Sequence, residues 1–279
     1  MSAFSQLEGK VAVVTGGASG IGKGIAQRLI ANGMRVVIAD IEEEALRHTA
    51  AEIGATGIRT DVSSLESVQA LAEQVKRQFG TAHLVCNNAG IGSVAMLADM
   101  SPRDWQWIIN VNLWGVIHGI NAFLPMLQAN PDGGHIINTS SMGGFGVIPG
   151  LGAYSATKFA VVAITEALAM ELEIAGSRVG ASLLCPGTVR TNIKNSARNR
   201  PAELAGALTD TDLENSEMAA KLRWADPLDV GESVVRGLKA GEFYIFTHPE
   251  MRSSIDERHA RIAAAFDQAA RLAQVAEIA

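Results

Sequence analysis

The sequence predicts a doubly wound α/β fold, in which a seven-stranded parallel sheet carries helices on both faces. Short apolar runs rich in β-branched residues alternate along the chain with longer segments of helical periodicity. Hydrophobic residues make up 48% of the sequence and aromatic residues only 5%, a balance typical of strands buried on both sides. A chain of 279 residues can bury one large core, so we expect residues 1–279 to form a single domain.

Each predicted strand is a short apolar run bounded by glycine, aspartate or another turn-forming residue. The predicted strands are 11–15, 35–40, 57–61, 84–87, 135–140, 181–185 and 243–246. Helical periodicity is clearest at 20–32, 65–79, 102–128 and 154–174. Strands that alternate with helices in this way predict βαβ units and therefore a parallel sheet.

Two segments depart from this alternation. Residues 188–225 are polar and irregular, which is typical of a loop that covers a binding site, and we predict a substrate lid there. Residues 251–279 are rich in alanine and predict an amphipathic helix. Its apolar residues on or near one side are Ile255, Ile262, Phe266 and Leu272. We expect this tail to pack on the domain or on a second copy of the chain.

Composition excludes several classes of function. The net charge is −6 and no basic run occurs, so nucleic acids and anionic membranes are poor partners. Cys86 and Cys185 lie in apolar runs and are expected to be buried thiols, and the six histidines lack metal-ligand spacing, so no metal is predicted. The sequence shows neither a signal peptide nor a run of about 18 apolar residues, which leads us to expect a cytoplasmic protein.

A glycine-rich turn follows the first predicted strand. Gly16, Gly20 and Gly22 surround Ser19 and Ile21. Glycine permits a tight turn and lets a pyrophosphate approach the backbone amides and the positive end of the next helix. The spacing is not Gly-x-Gly-x-x-Gly, so the turn alone is weak evidence. Its position inside a βαβ unit predicts a Rossmann-type dinucleotide site.

Asp40 ends the second predicted strand, 18 positions after Gly22, close to the spacing at which an acid binds the adenosine ribose. A carboxylate there repels a 2′-phosphate. Ser19 and Ile41, where a basic residue would neutralise that phosphate, are uncharged. We therefore expect NAD rather than NADP. A second role for Asp40, compatible with the first, is to cap a helix that begins at Glu42.

Tyr154 and Lys158 are four residues apart and so lie on one face of a predicted helix. An adjacent ammonium, like an oxidised nicotinamide, favours the phenolate and lowers the tyrosine pKa towards the range useful for acid/base chemistry. The pair alone occurs often by chance. It becomes informative only in combination with other motifs.

Those motifs occur in order along the chain. Asn-Asn-Ala-Gly stands at 87–90, Asn112 lies in a predicted helix, Ser140-Ser141 and Gly143-Gly144 follow the fifth strand, and Pro186-Gly187 follows the sixth. Together with the glycine turn and Tyr-x-x-x-Lys, the sequence resembles the short-chain dehydrogenase/reductase family, most specifically from Lys10 to Thr191.

The resemblance implies a catalytic set of Asn112, Ser141, Tyr154 and Lys158. Tyr154 would be the general acid/base, and Ser141 would hydrogen-bond the substrate oxygen. Lys158 would hold the nicotinamide ribose and depress the tyrosine pKa, while Asn112 would bind a water that links Lys158 to solvent. Ser140 would be structural.

The resemblance also implies contacts along the whole dinucleotide. Asp61 and Val62 would bracket the adenine, the segment at 88–90 would lie beneath the ribose, and the amide of Val189 and the hydroxyl of Thr191 would meet the carboxamide. The full set of predicted cofactor contacts is Gly16, Ser19, Gly20, Ile21, Gly22, Asp40, Ile41, Asp61, Val62, Asn88, Ala89, Gly90, Tyr154, Lys158, Pro186, Gly187, Val189 and Thr191.

The predicted substrate pocket is apolar, which favours a bulky hydrophobic or aromatic secondary alcohol or its ketone. The predicted substrate contacts are Ser141, Met142, Gly143, Phe145, Leu151, Tyr154, Gly187 and Ile193, with Leu204, Leu208, Met218, Leu222 and Trp224 of the lid nearby. Stretches beginning at Trp107 and Tyr244 resemble bacterial relatives that oxidise benzylic alcohols of lignin-type aryl ethers.

Two other functions remain open. One is an NADPH-dependent 3-oxoacyl-thioester reductase of the same family, against which Asp40 argues. The other is a non-catalytic dinucleotide sensor or scaffold, against which the complete catalytic set argues. Relatives build a dimer interface from the helices around Trp114 and Tyr154, so the resemblance implies a homodimer or homotetramer.

Overall fold

The computed structural model describes residues 6–212, 214 and 222–278. Its strands are β1 (Val11–Thr15), β2 (Arg35–Asp40), β3 (Thr56–Arg59), β4 (Leu84–Asn87), β5 (Gly134–Thr139), β6 (Val179–Cys185) and β7 (Tyr244–Phe246). They form one parallel sheet in the order β3-β2-β1-β4-β5-β6-β7. This arrangement confirms the predicted doubly wound, seven-stranded fold.

Helices cover both faces of this sheet. They are α1 (Gly20–Ala31), α2 (Glu43–Ile53), α3 (Leu65–Phe79), α4 (Pro102–Ile109), α5 (Gly115–Ala129), α6 (Gly152–Ile174), α7 (Pro227–Ala240) and α8 (Arg252–Ile278). Alternate strand residues point to opposite faces. Val14 and Ile38 therefore join the core beneath α1, α2 and α7, while Val13 and Val37 join the core beneath α3, α5 and α6.

The predicted helix 102–128 is divided in the structure. A π-helical turn, Asn110–Trp114, separates α4 from α5. Among the described residues, only the run Pro102–Ala129 is long and apolar enough to span a membrane, and it packs against β4, β5 and α3 as a helix of the core does. A π turn adds one residue to the helical repeat and often marks a functional position. It contains Asn112 of the predicted catalytic set.

Strand boundaries differ from the predicted ones where polar side chains form turns. The third predicted strand, 57–61, ends instead at Arg59. The carboxylate of Asp61 accepts hydrogen bonds from the backbone N–H and the hydroxyl of Ser63, at 2.9 and 2.7 Å. This local turn competes with strand pairing, as short polar side chains commonly do.

The strand order reverses between β1 and β4, which opens a crevice at the carboxyl ends of these strands. Ligands of doubly wound sheets bind at such a reversal. The glycine turn after β1, the segment after β4 and the serines after β5 all lie at this edge. The fold therefore gathers the predicted motifs at one place.

The predicted lid is an irregular excursion between β6 and α7. It contains two 3₁₀ segments, Asn192–Asn199 and Ala202–Leu204, and it pairs with the rest of the chain through an antiparallel bridge between Thr209 and Val94. Its residues 213 and 215–221, which include the predicted pocket residue Met218, lie outside the described residues.

The predicted tail helix is α8, and it lies almost free of the domain. Side chains from His259 to Ala273 are exposed, with Phe266 at 73% and Leu272 at 64%. Close to its start, the guanidinium of Arg258 lies 5.0 Å from the ring centre of Phe159. The expectation that the apolar side of the tail packs on its own domain is therefore wrong for residues 259–273, and packing on a second copy stays a prediction.

Candidate active site

The turn after β1 is built for close approach to its backbone. Gly16 and Gly20 have positive φ angles of 66° and 51°, which favour glycine. A Cβ on Gly22 would lie 2.1 Å from the carbonyl oxygen of Gly16, so no side chain fits there. The side chain of Ser19 does not cap α1, which leaves first-turn amides available to an anion. The cradle therefore suits a pyrophosphate.

Thr15 joins this turn to the segment after β4. Its hydroxyl oxygen accepts from the amides of Asn88 and Ala89 at 2.9 and 3.1 Å, and the Asn88 side chain donates to the Thr15 carbonyl at 3.0 Å. A Cβ on Gly16 would lie 2.8 Å from the Cα of Ala89. The phosphate turn and the 88–90 segment therefore hold each other in register.

The Asp40 carboxylate, at the end of β2, binds two backbone amides. One carboxylate oxygen accepts from the amide of Ala18 at 3.0 Å, and the other accepts from the amide of Glu42 at 3.1 Å. Burial raises the pKa of Asp40, and these amide bonds oppose the rise. The second role predicted for Asp40 is wrong, because Glu42 is the cap residue and α2 begins at Glu43. Each carboxylate oxygen retains a lone pair with which to accept from a ribose hydroxyl.

The predicted adenine pair lies beyond β3. Val62 is buried, and its carbonyl oxygen lies 2.9 Å from Nδ1 of His118 on α5. A Cβ on Gly115 would meet the Val62 side chain at 2.9 Å, so α5 approaches this segment closely. Val62 is thereby fixed, and its contact with adenine, like that of Asp61, stays a prediction.

Ser141 and Tyr154 meet at the end of β5. A Cβ on Gly143 would lie 3.2 Å from the Tyr154 ring and 3.5 Å from the Ser141 hydroxyl, and the Ser141 side chain acts to lower the pKa of the phenol. The amide of Gly143 donates to the Ser141 hydroxyl at 3.1 Å. Gly143 therefore packs against both groups, and the hydroxyl and the phenol share one small space.

Lys158 lies one turn beyond Tyr154 on α6. Its ammonium donates to the carbonyl of Thr139 at 3.0 Å and lies 5.6 Å from the centre of the Tyr154 ring. The hydroxyl of Ser140 donates to the backbone carbonyl of Lys158 at 2.8 Å. Ser140 thus braces α6 against β5, as a structural serine does.

Asn112 approaches Lys158 at Gly90. A Cβ on Gly90 would lie 3.3 Å from Oδ1 of Asn112 and 3.6 Å from Nζ of Lys158. The Asn112 amide accepts from the Ile91 N–H at 2.8 Å and donates to the Ile91 carbonyl at 3.0 Å. The asparagine therefore fixes the backbone after β4. Its predicted role in binding a water stays a prediction.

Burial dominates the electrostatics of this cluster. It raises the pKa of Tyr154, and the Ser141 side chain opposes that rise. Burial also lowers the pKa of Lys158 to about 8. The sequence predicts a lowered tyrosine pKa, so in the protein by itself the direction is reversed. The reason is that burial, which disfavours the phenolate, is the largest cause of the shift, while the Lys158 ammonium lies 5.6 Å from the ring centre.

The segment after β6 forms the far wall of the crevice. A parallel bridge joins Val189 to Ala225 through the amide of Arg190 and the carbonyl of Thr188. Peptide groups alternate in direction along an extended chain, so the amide of Val189 points to the other side. Thr191 accepts from the amide of Ile193 at 3.4 Å. The predicted carboxamide contacts of Val189 and Thr191 stay predictions.

The predicted substrate residues differ in their surroundings. The residues beside the Tyr154 hydroxyl include Ser141 and Gly143, and Ser141 also donates to the Pro186 carbonyl at 3.4 Å. Phe145 instead packs among aromatic rings. Its ring centre lies 5.5 Å from that of Phe246 and 6.2 Å from that of Tyr244.

Other members of the predicted substrate set lie around the crevice. The Ile193 side chain would touch a Cβ on Gly92 at 2.9 Å. Met142 and Leu151 are partly exposed, Met142 at the start of a 3₁₀ segment and Leu151 directly before α6, and Leu204 and Leu208 pack with Trp107. Their contacts with substrate stay predictions.

His248 is the main site residue that sequence reasoning missed. The amide of Gly187 donates to its Nδ1 at 3.1 Å, and its Nε2 lies 3.1 Å from the Arg223 carbonyl. The neutral tautomer with a proton on Nε2 satisfies both bonds. A Cβ on Gly187 would lie 2.5 Å from this ring, which explains the glycine. The position of His248 directly after β7 was the available signal.

This geometry defines a dinucleotide-binding fold with a Ser-Tyr-Lys cluster at its crevice, and the comparisons with known proteins agree. The model of the short chain dehydrogenase family matches residues 10–202. The chain therefore belongs to the short-chain dehydrogenase/reductase family, and it is an oxidoreductase of that family.

Individual relatives match over most of their length. A C alpha-dehydrogenase from Sphingobium sp. is 34% identical over 91% of this chain and 85% of its own. A CLA biosynthesis dehydrogenase/reductase from Lactiplantibacillus plantarum is 32% identical over 91% of this chain and 93% of its own. A Burkholderia phymatum short-chain dehydrogenase/reductase in complex with NAD superposes with a TM-score of 0.86, at 38% identity, over 93% of this chain and 96% of its own.

Proposed function

We propose that this protein transfers hydride between NAD and a secondary alcohol or ketone, with Tyr154 as general acid/base. The observation that carries the proposal is the convergence of Ser141, Tyr154 and Lys158 beside a glycine cradle at the carboxyl edge of the sheet. Ser141 follows β5, whereas Tyr154 and Lys158 lie on α6, and the fold brings the two elements together here.

The roles of the side chains follow from their surroundings. The Ser141 hydroxyl binds the substrate oxygen, and Tyr154 takes the proton of the alcohol in oxidation and returns a proton to the carbonyl oxygen in reduction. Asn112 holds the backbone at Ile91, after β4. The Lys158 ammonium places a positive charge near the Tyr154 ring. A bound dinucleotide supplies the hydride acceptor or donor and, when oxidised, a positive charge that favours the phenolate.

The preference for NAD rests on Asp40. Its carboxylate lies at the end of β2 and is oriented by the amides of Ala18 and Glu42. A 2′-phosphate near this group would meet a fixed negative charge. The related Burkholderia phymatum protein, which was crystallised with NAD, supports the same choice.

Substitution of Asp40 tests this preference. Asp40→Ala removes the negative charge, and we expect the ratio of kcat/KM for NAD to that for NADP to fall by about tenfold or more. Asp40→Asn is the matched control for size. Unchanged selectivity in both variants would assign the preference to another residue.

For the substrate we propose a bulky hydrophobic or aromatic secondary alcohol. Apolar side chains from the lid surround the crevice, with Ile193 beside Gly92 and Leu208 packed with Trp107. The stretches beginning at Trp107 and Tyr244, which resemble relatives that oxidise benzylic alcohols, favour an aryl carbinol.

The test is a panel of aryl carbinols, steroid alcohols, short aliphatic alcohols and 3-hydroxyacyl thioesters, assayed by NADH absorbance with Tyr154→Phe as the blank. We expect aryl carbinols to give the highest kcat/KM. Faster turnover of every short aliphatic alcohol would remove this substrate class, and a strong preference for NADPH with thioesters would favour the acyl-thioester reductase.

A further inference from the structure

The 3₁₀ segment Asn192–Asn199, which we name the strap, is bound at its far end to the segment after β2. The guanidinium of Arg198 donates to both carboxylate oxygens of Glu42. Its Nε lies 3.2 Å from Oε2, and its Nη2 donates to Oε1. The Asn199 side chain donates to the same Oε1 at 2.9 Å. Glu42 follows Asp40 by two residues, so the strap ends beside the residue that governs the NAD preference.

The near end of the strap lies on the phosphate turn. Thr191 precedes the strap, and a Cβ on Gly20 would lie 3.0 Å from its Cγ2. Arg198 also donates to the carbonyl of Asn192 at 3.2 Å and to that of Asn195 at 2.5 Å. These bonds tie the two ends of the strap to each other. The strap therefore runs from the phosphate turn after β1 to the end of β2.

We propose that the ion pair between Arg198 and Glu42 is a latch that holds the strap across the crevice and slows release of the dinucleotide. The inference rests on the proposed function, because it requires the dinucleotide to bind between the phosphate turn and Asp40. It assigns to Arg198 and Glu42 a positioning role that neither Asp40 nor the Tyr154 cluster supplies.

The latch has a second consequence, for cofactor selection. Both carboxylate oxygens of Glu42 accept from the Arg198 guanidinium, and this contact holds the pKa of Glu42 below its usual range. In this arrangement the positive charge of Arg198 is neutralised by Glu42. An arginine released from Glu42 would be a cation beside Asp40, where a 2′-phosphate would lie.

The size of the effect is bounded by exposure. The side chains of Arg198 and Glu42 are 37% and 31% exposed, and partly exposed ion pairs change an equilibrium only a few-fold. The two-point geometry and the added bond from Asn199 place this pair at the upper end of that range. We therefore expect about a three- to tenfold change in the rate of release.

Glu42→Gln separates the latch from simple electrostatics. Loss of a negative charge near an anionic dinucleotide would by itself slow release, because it removes repulsion. Loss of the latch would speed release. The two explanations therefore predict changes of opposite sign for the same variant.

The experiment measures NADH dissociation from the full chain by stopped-flow fluorescence, with displacement by excess NAD. We expect Glu42→Gln to release NADH about three- to tenfold faster than the wild type. The control is Glu232→Gln, which breaks a similar surface pair with Arg28, 3.6 Å apart, between α1 and α7. It should leave the rate unchanged.

Three further measurements complete the design. The charge exchange Glu42→Arg with Arg198→Glu should restore slow release relative to either single variant. Higher salt should speed release from the wild type and not from Glu42→Gln. For Glu42→Gln the loss of affinity should be at least about threefold smaller for NADPH than for NADH, and the added change Arg198→Gln should abolish that difference.

The outcomes distinguish the latch from the proposed function. Normal NADH binding by the wild type with unchanged or slower release from Glu42→Gln would overturn the latch alone. No measurable binding of NADH or NADPH by the wild type would overturn the proposed function and the latch with it.

Discussion

The Tyr154 cluster and the predicted lid are positioned in different ways. Tyr154 and Lys158 lie one turn apart on a single helix, and Ser141 follows the strand against which that helix packs. The lid is bound by charged side chains to distant parts of the chain, since Arg198 pairs with Glu42 and Arg200 with Asp104. Local spacing thus determines the chemistry, and long-range ion pairs determine what covers it.

The two ion pairs of the lid also differ from each other. Asp104 is fully buried and Arg200 is 8% exposed, whereas Arg198 and Glu42 are partly exposed. Arg200 further donates to the carbonyls of Leu204 and Leu208 at 2.7 and 3.1 Å. Residues 200–208 of the lid, which form its wall, are therefore held firmly against α4, and the strap is held more weakly.

The largest expected effect concerns the cluster itself. Tyr154→Phe keeps the ring and removes the acid/base, so we expect kcat to fall by about 10²- to 10⁴-fold while NADH affinity changes little. Steady-state kinetics and NADH fluorescence titration measure the two quantities. Activity within about tenfold of the wild type would contradict the assignment.

The next largest effect concerns the wall of the lid. Asp104→Asn leaves the buried guanidinium of Arg200 without a counter-charge, and we expect the free energy of unfolding to fall by about 3–5 kcal/mol. Urea denaturation followed by circular dichroism measures it. The double variant Asp104→Leu with Arg200→Met should lose less, because no buried charge is left unpaired.

A loss below about 1 kcal/mol for Asp104→Asn would show that the wall is held by its apolar contacts instead. Those contacts include the Trp107 ring, over which the Arg200 guanidinium stacks at 4.7 Å. Kinetics with the folded variant would then show whether the wall also shapes the substrate pocket.

This contrast explains how far the sequence alone could lead. The seven parallel strands, the phosphate turn and the Tyr154-Lys158 pair follow from periodicity and short spacings, and the structure has the sheet and the turn as predicted. The pairs Arg198-Glu42 and Arg200-Asp104 join residues 156 and 96 positions apart. No local pattern marks such partners, because the sequence alone does not show which distant carboxylate lies beside a given arginine in the fold.

The reversed pKa of Tyr154 has a similar origin. Spacing shows that an ammonium lies one turn away, but it cannot show that the Tyr154 side chain is partly buried. Likewise, an acid at the end of β2 was visible, whereas its two amide bonds to Ala18 and Glu42 were not. Burial and backbone direction arise from the assembled fold.

A smaller effect concerns His248, which joins the two ends of the lid. Neutral His248 binds the amide of Gly187 at one end of the lid and the carbonyl of Arg223 at the other. Burial, followed by the charge of Arg223, lowers the pKa of His248, and Glu250 opposes that change. The unfolded chain therefore binds a proton at a higher pH than the folded chain does.

The sign of the pH dependence follows. The stabilisation by His248 is complete above the unfolded pKa of about 6.5 and is lost as the pH falls below it. We expect His248→Asn, which can still accept from Gly187, to reduce the slope of unfolding free energy against pH between about pH 6.5 and 5. Parallel slopes in urea titrations of the two proteins would contradict this role.

The smallest effect is expected at the tail, which neither pairs with the lid nor joins the cluster. Side chains from His259 to Ala273 are exposed, so ending the chain after Arg261 should change the unfolding free energy in dilute solution by less than about 0.5 kcal/mol. The measurement is urea denaturation at two protein concentrations. A loss that grows with concentration would show that a second copy covers Phe266, because association stabilises by mass action. A loss above about 2 kcal/mol in dilute solution would instead show that the tail stabilises its own domain, against its exposure.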